Sequence, residues 1–194
     1  MLTKQGKRLF AYGVGNVVGT GTNGIAVQTL PTGMIEINPT DGTGPFYFNG
    51  VFYGFTVSTF LSGDPTANGK VGIAVGSGAA AESDTSICLA SPITSGVSGS
   101  VSLVGIQYES QTDKATVTYS VTITNASGSD IIVNEVGLFG NVAGYATTKG
   151  GAMTTGANYR KTIMLDRTVL DSAVTIPSGQ SRVIDYKFVR DCSY

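Results

Sequence analysis

Apolar and hydroxyl-bearing side chains alternate without interruption from Ala115 to Thr124, in the sequence ATVTYSVTIT. A period of two places the two sets on opposite faces of a β-strand, and the β-branched Val, Ile and Thr residues favour that conformation. The turn-forming sequence NASGSD follows at residues 125–130, and a second apolar run extends from Ile131 to Phe139. Because Asn, Asp, Ser and Gly favour tight turns, the stretch predicts an antiparallel hairpin with one apolar and one hydroxyl face.

Four further strand segments are predicted, at residues 71–78, 97–108, 159–170 and 174–188, the last being a hairpin around Pro177-Ser-Gly179. The apolar register slips near Gly105, which predicts a β-bulge there. A sheet with one apolar face must be covered on that face by another layer. We therefore expect an all-β fold, an antiparallel β-sandwich of the jelly-roll or Ig-like kind.

The sequence divides into an arm and a single domain. Residues 1–24 combine a polar start, in which Leu2, Leu9 and Phe10 could line a short helix, with a Gly-rich run that weakens any continuation. Residues 25–194 form the predicted domain. Within it, residues 141–158 are rich in Gly, Thr and Ala and show no apolar period, so we expect a long loop.

Aromatic residues concentrate in one stretch, residues 46–60, with the sequence FYFNGVFYGFTVSTF. Asn49-Gly50 inside it is a hairpin signal, which predicts two short strands. Aromatic side chains on both faces favour burial on both sides, against the core and against a neighbouring subunit. A platform for a sugar is the alternative, and the absence of Trp disfavours it.

The composition narrows the class of protein. Charged residues make up 13% of the 194, and Gly occurs 27 times, which suits strands and tight turns with a surface covered by neighbouring subunits. A net charge of −1 argues against a nucleic-acid partner. No apolar run approaches the about 18 residues of a membrane span, and the basic start has no apolar signal-peptide core behind it.

Few residues suggest catalysis or cofactor binding. The chain has no His, which removes Ser-His-Asp and Cys-His mechanisms and the commonest zinc ligand. Cys88 and Cys192 have no metal-site spacing and are expected as unpaired thiols, one of them a small buried apolar group. The sequence GTGTNG at residues 19–24 fits a dinucleotide fingerprint but lacks the strand and helix around it. We expect no metal, no cofactor and no small-molecule substrate.

Glu135 is the acidic residue that stands out, since it lies inside a predicted strand rather than in a turn. A buried carboxylate must be paired or hydrogen-bonded. The favoured interpretation is a structural salt bridge to Arg167, which interrupts an apolar register, with Arg160 as second choice. The alternative is a catalytic acid acting with an Asp in a glycan-cleaving enzyme.

The order of several short motifs resembles structural proteins of tailed-bacteriophage virions. That pattern has an "LT..G" start, a "vGxG" turn before a "DT.L" segment, a "tN" turn leading into "EiGLf", then "R..l" and a closing "v.i.sG....v.Y". The matching pieces here are Leu2–Gly6, Val71–Gly78, Ser83–Leu89, Ile123–Asn125, Val133–Phe139, Asp166–Leu170, Val174–Gly179 and Ile184–Tyr186.

The resemblance implies a non-enzymatic component of the tail, collar, head–tail junction or fibre base. Its partners would be copies of itself in a ring or fibre and other virion proteins, assembled in the cytoplasm of the host bacterium. A carbohydrate-binding module for host attachment, using Tyr47, Tyr53, Tyr145 or Tyr159, and a capsid decoration protein are the alternatives. The residues expected at subunit contacts are Lys7, Arg8, Phe10, Tyr12, Phe52, Tyr53, Phe55 and Tyr145.

Overall fold

The computed structural model describes residues 35–37, 46–52, 59–65, 70–83, 85–112, 114–147 and 159–191, with the backbone alone at 35–37, 46–52, 141–147, 159–161 and 190–191. The strands are β1 (Ile35–Ile37), β2 (Phe46–Phe52), β3 (Gly72–Gly76), β4 (Val97–Glu109), β5 (Lys114–Asn125), β6 (Ile131–Thr147), β7 (Tyr159–Ile176) and β8 (Ser181–Asp191). This part of the chain contains no helix, and so none that could span a membrane. The all-β prediction is confirmed for it.

The strands form two antiparallel sheets. In sheet A, the long strand β6 pairs with β7 along one edge and with β3 and β2, one after the other, along the opposite edge, while β1 pairs with β2. Sheet B has the order β4-β5-β8. Strand β6 is therefore the central element of sheet A, and β5 that of sheet B.

One hydrophobic cluster contains side chains from both sheets. Strand β5 contributes Tyr119, Val121 and Ile123, and sheet A contributes Val136 and Leu138 among others. The hydroxyl residues between the β5 positions are more exposed, so the alternation predicted from the sequence separates the two faces of this strand as expected. The apolar face of sheet B is thus the face that shares this core.

The hairpins predicted from the sequence at residues 115–139 and 174–188 are wrong. Strand β5 pairs with β4 and β8 but not with β6, and β7 pairs with β6 but not with β8. Residues 126–130 and 177–180 therefore connect strands of different sheets. A turn sequence between two amphipathic strands fits either arrangement, because both bring the apolar faces to one core.

Asn125 joins these two inter-sheet connections. Its side chain is fully buried, and its amide donates to the carbonyl oxygens of Ser129 (2.7 Å) and Ile176 (2.8 Å). Its Oδ1 accepts from the backbone N–H (2.9 Å) and the hydroxyl (2.7 Å) of Ser127. The Asn125 backbone N–H donates to Gln180 O at 2.9 Å, so one residue holds both connections.

Other predictions from the sequence are corrected or stay untested. The bulge near Gly105 is confirmed by a register shift between Leu103 and Gly105. Asn49-Gly50 does not form a turn, because β2 runs through it and pairs with β6. Residues 141–147 belong to β6 rather than to a loop. The arm 1–24 and residues 148–158 lie outside the described residues.

Candidate functional site

A β-bulge determines which face of sheet A carries Glu135. The register of β6 against β7 shifts between Val133 and Glu135, where Asn134 of β6 and residues 170–173 of β7 have no partner in the opposite strand. Val133 and Val136 therefore both lie in the core shared with sheet B. Glu135 is placed on the opposite face, which is covered by a loop, called here the covering loop, that the structure describes at residues 77–83 and 85–93.

The Glu135 carboxylate is fully buried and accepts four hydrogen bonds. Three come from backbone N–H groups of the covering loop: Gly78 (3.1 Å) and Ser91 (2.8 Å) to Oε1, and Ala90 (3.1 Å) to Oε2. The fourth comes from Arg167 Nε to Oε2 at 2.7 Å. Because an ionised carboxylate has only acceptor sites, this set of donors suits it.

Arg167 extends the same network to the first half of the covering loop. Its two terminal nitrogens donate to the carbonyl oxygens of Ala81 (3.2 Å) and Ala80 (3.0 Å), and its side chain is 3% exposed. The ion pair with Glu135 is the one that the sequence predicts as first choice. Nearby, Glu82 accepts from the Val169 N–H of β7 at 2.8 Å, which ties the loop to sheet A a second time.

A second bulge, in β7, determines which faces of sheet A Asp166 and Arg167 take. The register shifts between Leu138 and Phe139 of β6, so that Leu165 is the extra residue of β7. Asp166 therefore faces the shared core, where its Oδ2 accepts from Tyr186 Oη at 2.6 Å, while Arg167 faces the covering loop. Burial first, and then the Asp166 carboxylate, raise the pKa of Tyr186 well above its ordinary value. This pair was not predicted from the sequence, although an Asp inside an apolar strand is a usable signal.

Two glycines allow the covering loop to approach Glu135. A Cβ added at Gly76 would lie 2.5 Å from Glu135 Oε1 and 2.6 Å from Ser91 O, and one at Gly78 would lie 2.5 Å from Oε1. Such distances are far below van der Waals contact, so a side chain at either position forces the backbone to move. The "vGxG" turn of the sequence is thus required by the buried carboxylate.

We expect Gly76→Ala to lower the free energy of unfolding by about 1–3 kcal/mol, the usual cost of overpacking. Gly63→Ala is the matched control, since a Cβ there meets nothing within 4 Å. Chemical denaturation followed by circular dichroism compares the two. Equal midpoints for both variants would contradict the contact described here.

Cys88 belongs to a small second core between the covering loop and sheet A. It packs against a cluster formed by Leu61, Ala74, Leu89, Phe139 and Met164. The thiol is free, as expected from the sequence, and burial raises its pKa from 9.0 to about 11. Cys192 lies outside the described residues.

Alkylation of Cys88 by iodoacetamide at pH 8 is expected to be about 100-fold slower in the native chain than in denaturant, because two pKa units remove that much thiolate. The unfolded thiol ionises from about pH 9 while the folded one stays neutral to about pH 11. The contribution of this group to stability is therefore lost as the pH rises from 9 to 11. Peptide mass spectrometry measures the rate at Cys88, and equal rates in the two states would refute the burial of this thiol.

The exposed surface carries a second candidate site, on β4. Leu103, Val104 and Ile106 are 57%, 64% and 69% exposed. They lie at and beside the bulge of this strand, at the edge of sheet B. Exposed apolar side chains grouped on an edge strand are typical of a surface that contacts another chain.

The subunit-contact residues predicted from the sequence stay untested. Lys7, Arg8, Phe10, Tyr12, Tyr53 and Phe55 lie outside the described residues. Phe52 and Tyr145 lie in β2 and β6, which pair with each other near this point, with the backbone alone described. No group of three or more Cys, Asp or Glu residues able to hold a metal ion occurs in the described ranges.

Comparison with known proteins identified no relative of this chain. The chain matches no protein-family model, and searches of curated proteins and of solved structures found nothing similar to it. The function must therefore be argued from the residues and their contacts.

Proposed function

We propose that this chain is a structural protein of a tailed-phage virion that acts by assembly and not by catalysis. In this proposal the two sheets pack face to face as a β-sandwich around the cluster to which both contribute. The domain is then a rigid building block, held among copies of itself and other virion proteins.

The observation that carries the proposal is the meeting of the separate motifs in one buried network. The "EiGLf" motif supplies Glu135, which accepts from Gly78 of the "vGxG" turn and from Arg167 of the "R..l" motif. The "tN" turn supplies Asn125, whose side-chain amide donates to Ile176 O at the end of β7. Its backbone carbonyl oxygen accepts a hydrogen bond from the N–H of Gly179 in the closing "sG" turn. Chance matches to a pattern have no reason to contact one another, whereas parts of one architecture do.

The contacts of Glu135 also favour a structural role over a catalytic one. A general acid must reach a substrate proton directly or through one water molecule. The Glu135 carboxylate is fully buried, and the four groups around it all belong to the fold. Its burial and its partners suit an anchor for the covering loop.

The exposed apolar residues of β4 support assembly as the mode of action. A monomer in water gains nothing from three grouped apolar side chains that are all more than half exposed. A subunit contact removes them from water at about 25 cal/mol per Å² of apolar surface. Low overall charge is consistent with the same role.

The experiment is quantitative mass spectrometry of density-purified phage particles from a lysate in which the chain is expressed from its own gene. The proposal predicts that the chain sediments with the particles at a fixed copy number relative to the other particle proteins. Cryo-electron microscopy then separates a tail, collar or junction position from capsid decoration. A chain that stays in the unassembled fraction, or that turns over a glycan, would refute the proposal.

A further inference from the structure

The two edges of sheet B differ in character. Strand β4 has one charged residue, Glu109 at its end, while β8 carries five: Arg182, Asp185, Lys187, Arg190 and Asp191. Charged residues on an edge strand are a common protection against pairing with another chain. The β8 edge has this protection. The β4 edge lacks it around the exposed apolar residues Leu103, Val104 and Ile106.

The bulge in β4 makes this strand suited to pair with a copy of itself. Before the bulge, odd-numbered positions such as Val101 face the shared core, and Leu103 continues this register. After the bulge the register against β5 shifts by one, so the even-numbered Ile106 takes that face, opposite Val117. When two copies of β4 pair antiparallel across the bulge, paired residues lie on the same face of the sheet only if an odd-numbered residue is opposite an even-numbered one. The two-fold axis then lies between Val104 and Gly105.

This register has favourable contacts throughout. Leu103 of one copy lies beside Ile106 of the other, and the two pairs form one apolar patch on a single face. Val104 lies opposite Gly105, where a side chain would meet nothing within 4 Å, so the partner's Val104 has room. Glu109 lies opposite Ser100, so no like charges meet.

We infer that β4 pairs antiparallel with β4 of a second copy, which joins two B sheets into one continuous six-stranded sheet. The inference rests on the proposed function, since it names the partner through which assembly begins. A two-fold contact of this kind is self-complementary and closes on itself. Backbone hydrogen bonds along the joined edges supply affinity, and the patch of Leu103 and Ile106 sets the register.

The first test is the mass of the full chain by size-exclusion chromatography with light scattering. The double variant Leu103→Lys/Ile106→Lys is expected to have half the molar mass of the wild-type oligomer, and its thermal unfolding midpoint is expected to equal that of the wild type. Val183→Lys is the matched control, because Val183 is 61% exposed on β8 and lies away from the β4 edge. It is expected to keep the wild-type mass.

The second test is disulfide crosslinking of Gly105→Cys in a Cys192→Ser background. Positions 105 of the two copies are diagonal neighbours across the axis, within the distance that a disulfide spans. Mild oxidation is expected to give a covalent dimer, and Val183→Cys in the same background is expected to give none. A double lysine variant that keeps the wild-type mass, or a Gly105→Cys chain that does not crosslink, would overturn the inference. If either of these results is obtained while the wild-type chain is still a multimer, only the β4 pairing is refuted and the proposed assembly is not. If the chain is absent from purified particles, the proposed function itself is refuted.

Discussion

Replacing Glu135 with alanine is expected to lower the free energy of unfolding by about 3–5 kcal/mol, because removing one partner of a buried ion pair leaves the other charge uncompensated. Arg167 would keep its two bonds to the covering loop but lose the carboxylate. Three N–H groups of the same loop would lose their acceptor as well. Denaturant unfolding measures the loss.

Two further variants separate the ion pair from a general effect of truncation. Glu109→Ala removes an exposed carboxylate that accepts one hydrogen bond, from Thr112, and is expected to change stability by less than about 0.5 kcal/mol. Glu135→Met combined with Arg167→Met is expected to cost less than either single change, since no unpaired charge remains. A fully stable Glu135→Ala chain would contradict the anchoring role of this carboxylate.

Asn125→Ala is expected to cost about 2–4 kcal/mol, because buried backbone groups that lose their partner cost about 1–3 kcal/mol each. The change removes the donors to Ser129 O and Ile176 O and the acceptor of the Ser127 N–H. Both inter-sheet connections are affected at once, so we expect the unfolding midpoint to fall without a change of fold. Circular dichroism under urea measures it.

Asn134→Ala is the control for this prediction. Asn134 is half-buried, and its amide makes one bond, to Ser77 O at 2.8 Å. Its loss is expected to cost about 1 kcal/mol or less. If Asn125→Ala were no more damaging than Asn134→Ala, the role of Asn125 as the joint between the sheets would be wrong.

The strands themselves could be predicted from the sequence because their side-chain pattern is local. Strand β5 was expected over residues 115–124 and spans Lys114–Asn125. The bulge near Gly105 was visible as a slip in the apolar register. The pairing of Glu135 with Arg167 was also predictable, since each residue interrupts an apolar strand and each needs the other's charge.

The partners of the strands could not be predicted, because partner choice is not local. The turn after Asn125 by itself predicts a hairpin, yet the chain crosses to the other sheet there, where the fully buried Asn125 side chain binds the end of β7. Asn49-Gly50 favours a turn by itself, but pairing with β6 holds it in an extended strand. In both places contacts with distant residues outweigh the local preference.

The face on which a side chain lies is harder to predict where a bulge interrupts the period of two. An uninterrupted period of two from Val133 would have directed Glu135 into the shared core. The irregularity at Asn134 reverses this, and the extra residue Leu165 in β7 determines that Asp166 faces the shared core and Arg167 the covering loop. Sequence periodicity can show such a shift where apolar residues flank it, as Val101 and Ile106 do around Gly105 and as Val133 and Val136 do around Asn134.

A cryo-electron microscopy map of the purified particle is the most direct test of the proposal that this chain is a building block of a virion. We expect density for a two-sheet subunit, repeated by the particle's symmetry, with the Glu135 and Arg167 side chains enclosed beneath the covering loop in every copy. A side-chain-resolution map whose every subunit is assigned to another chain would contradict it.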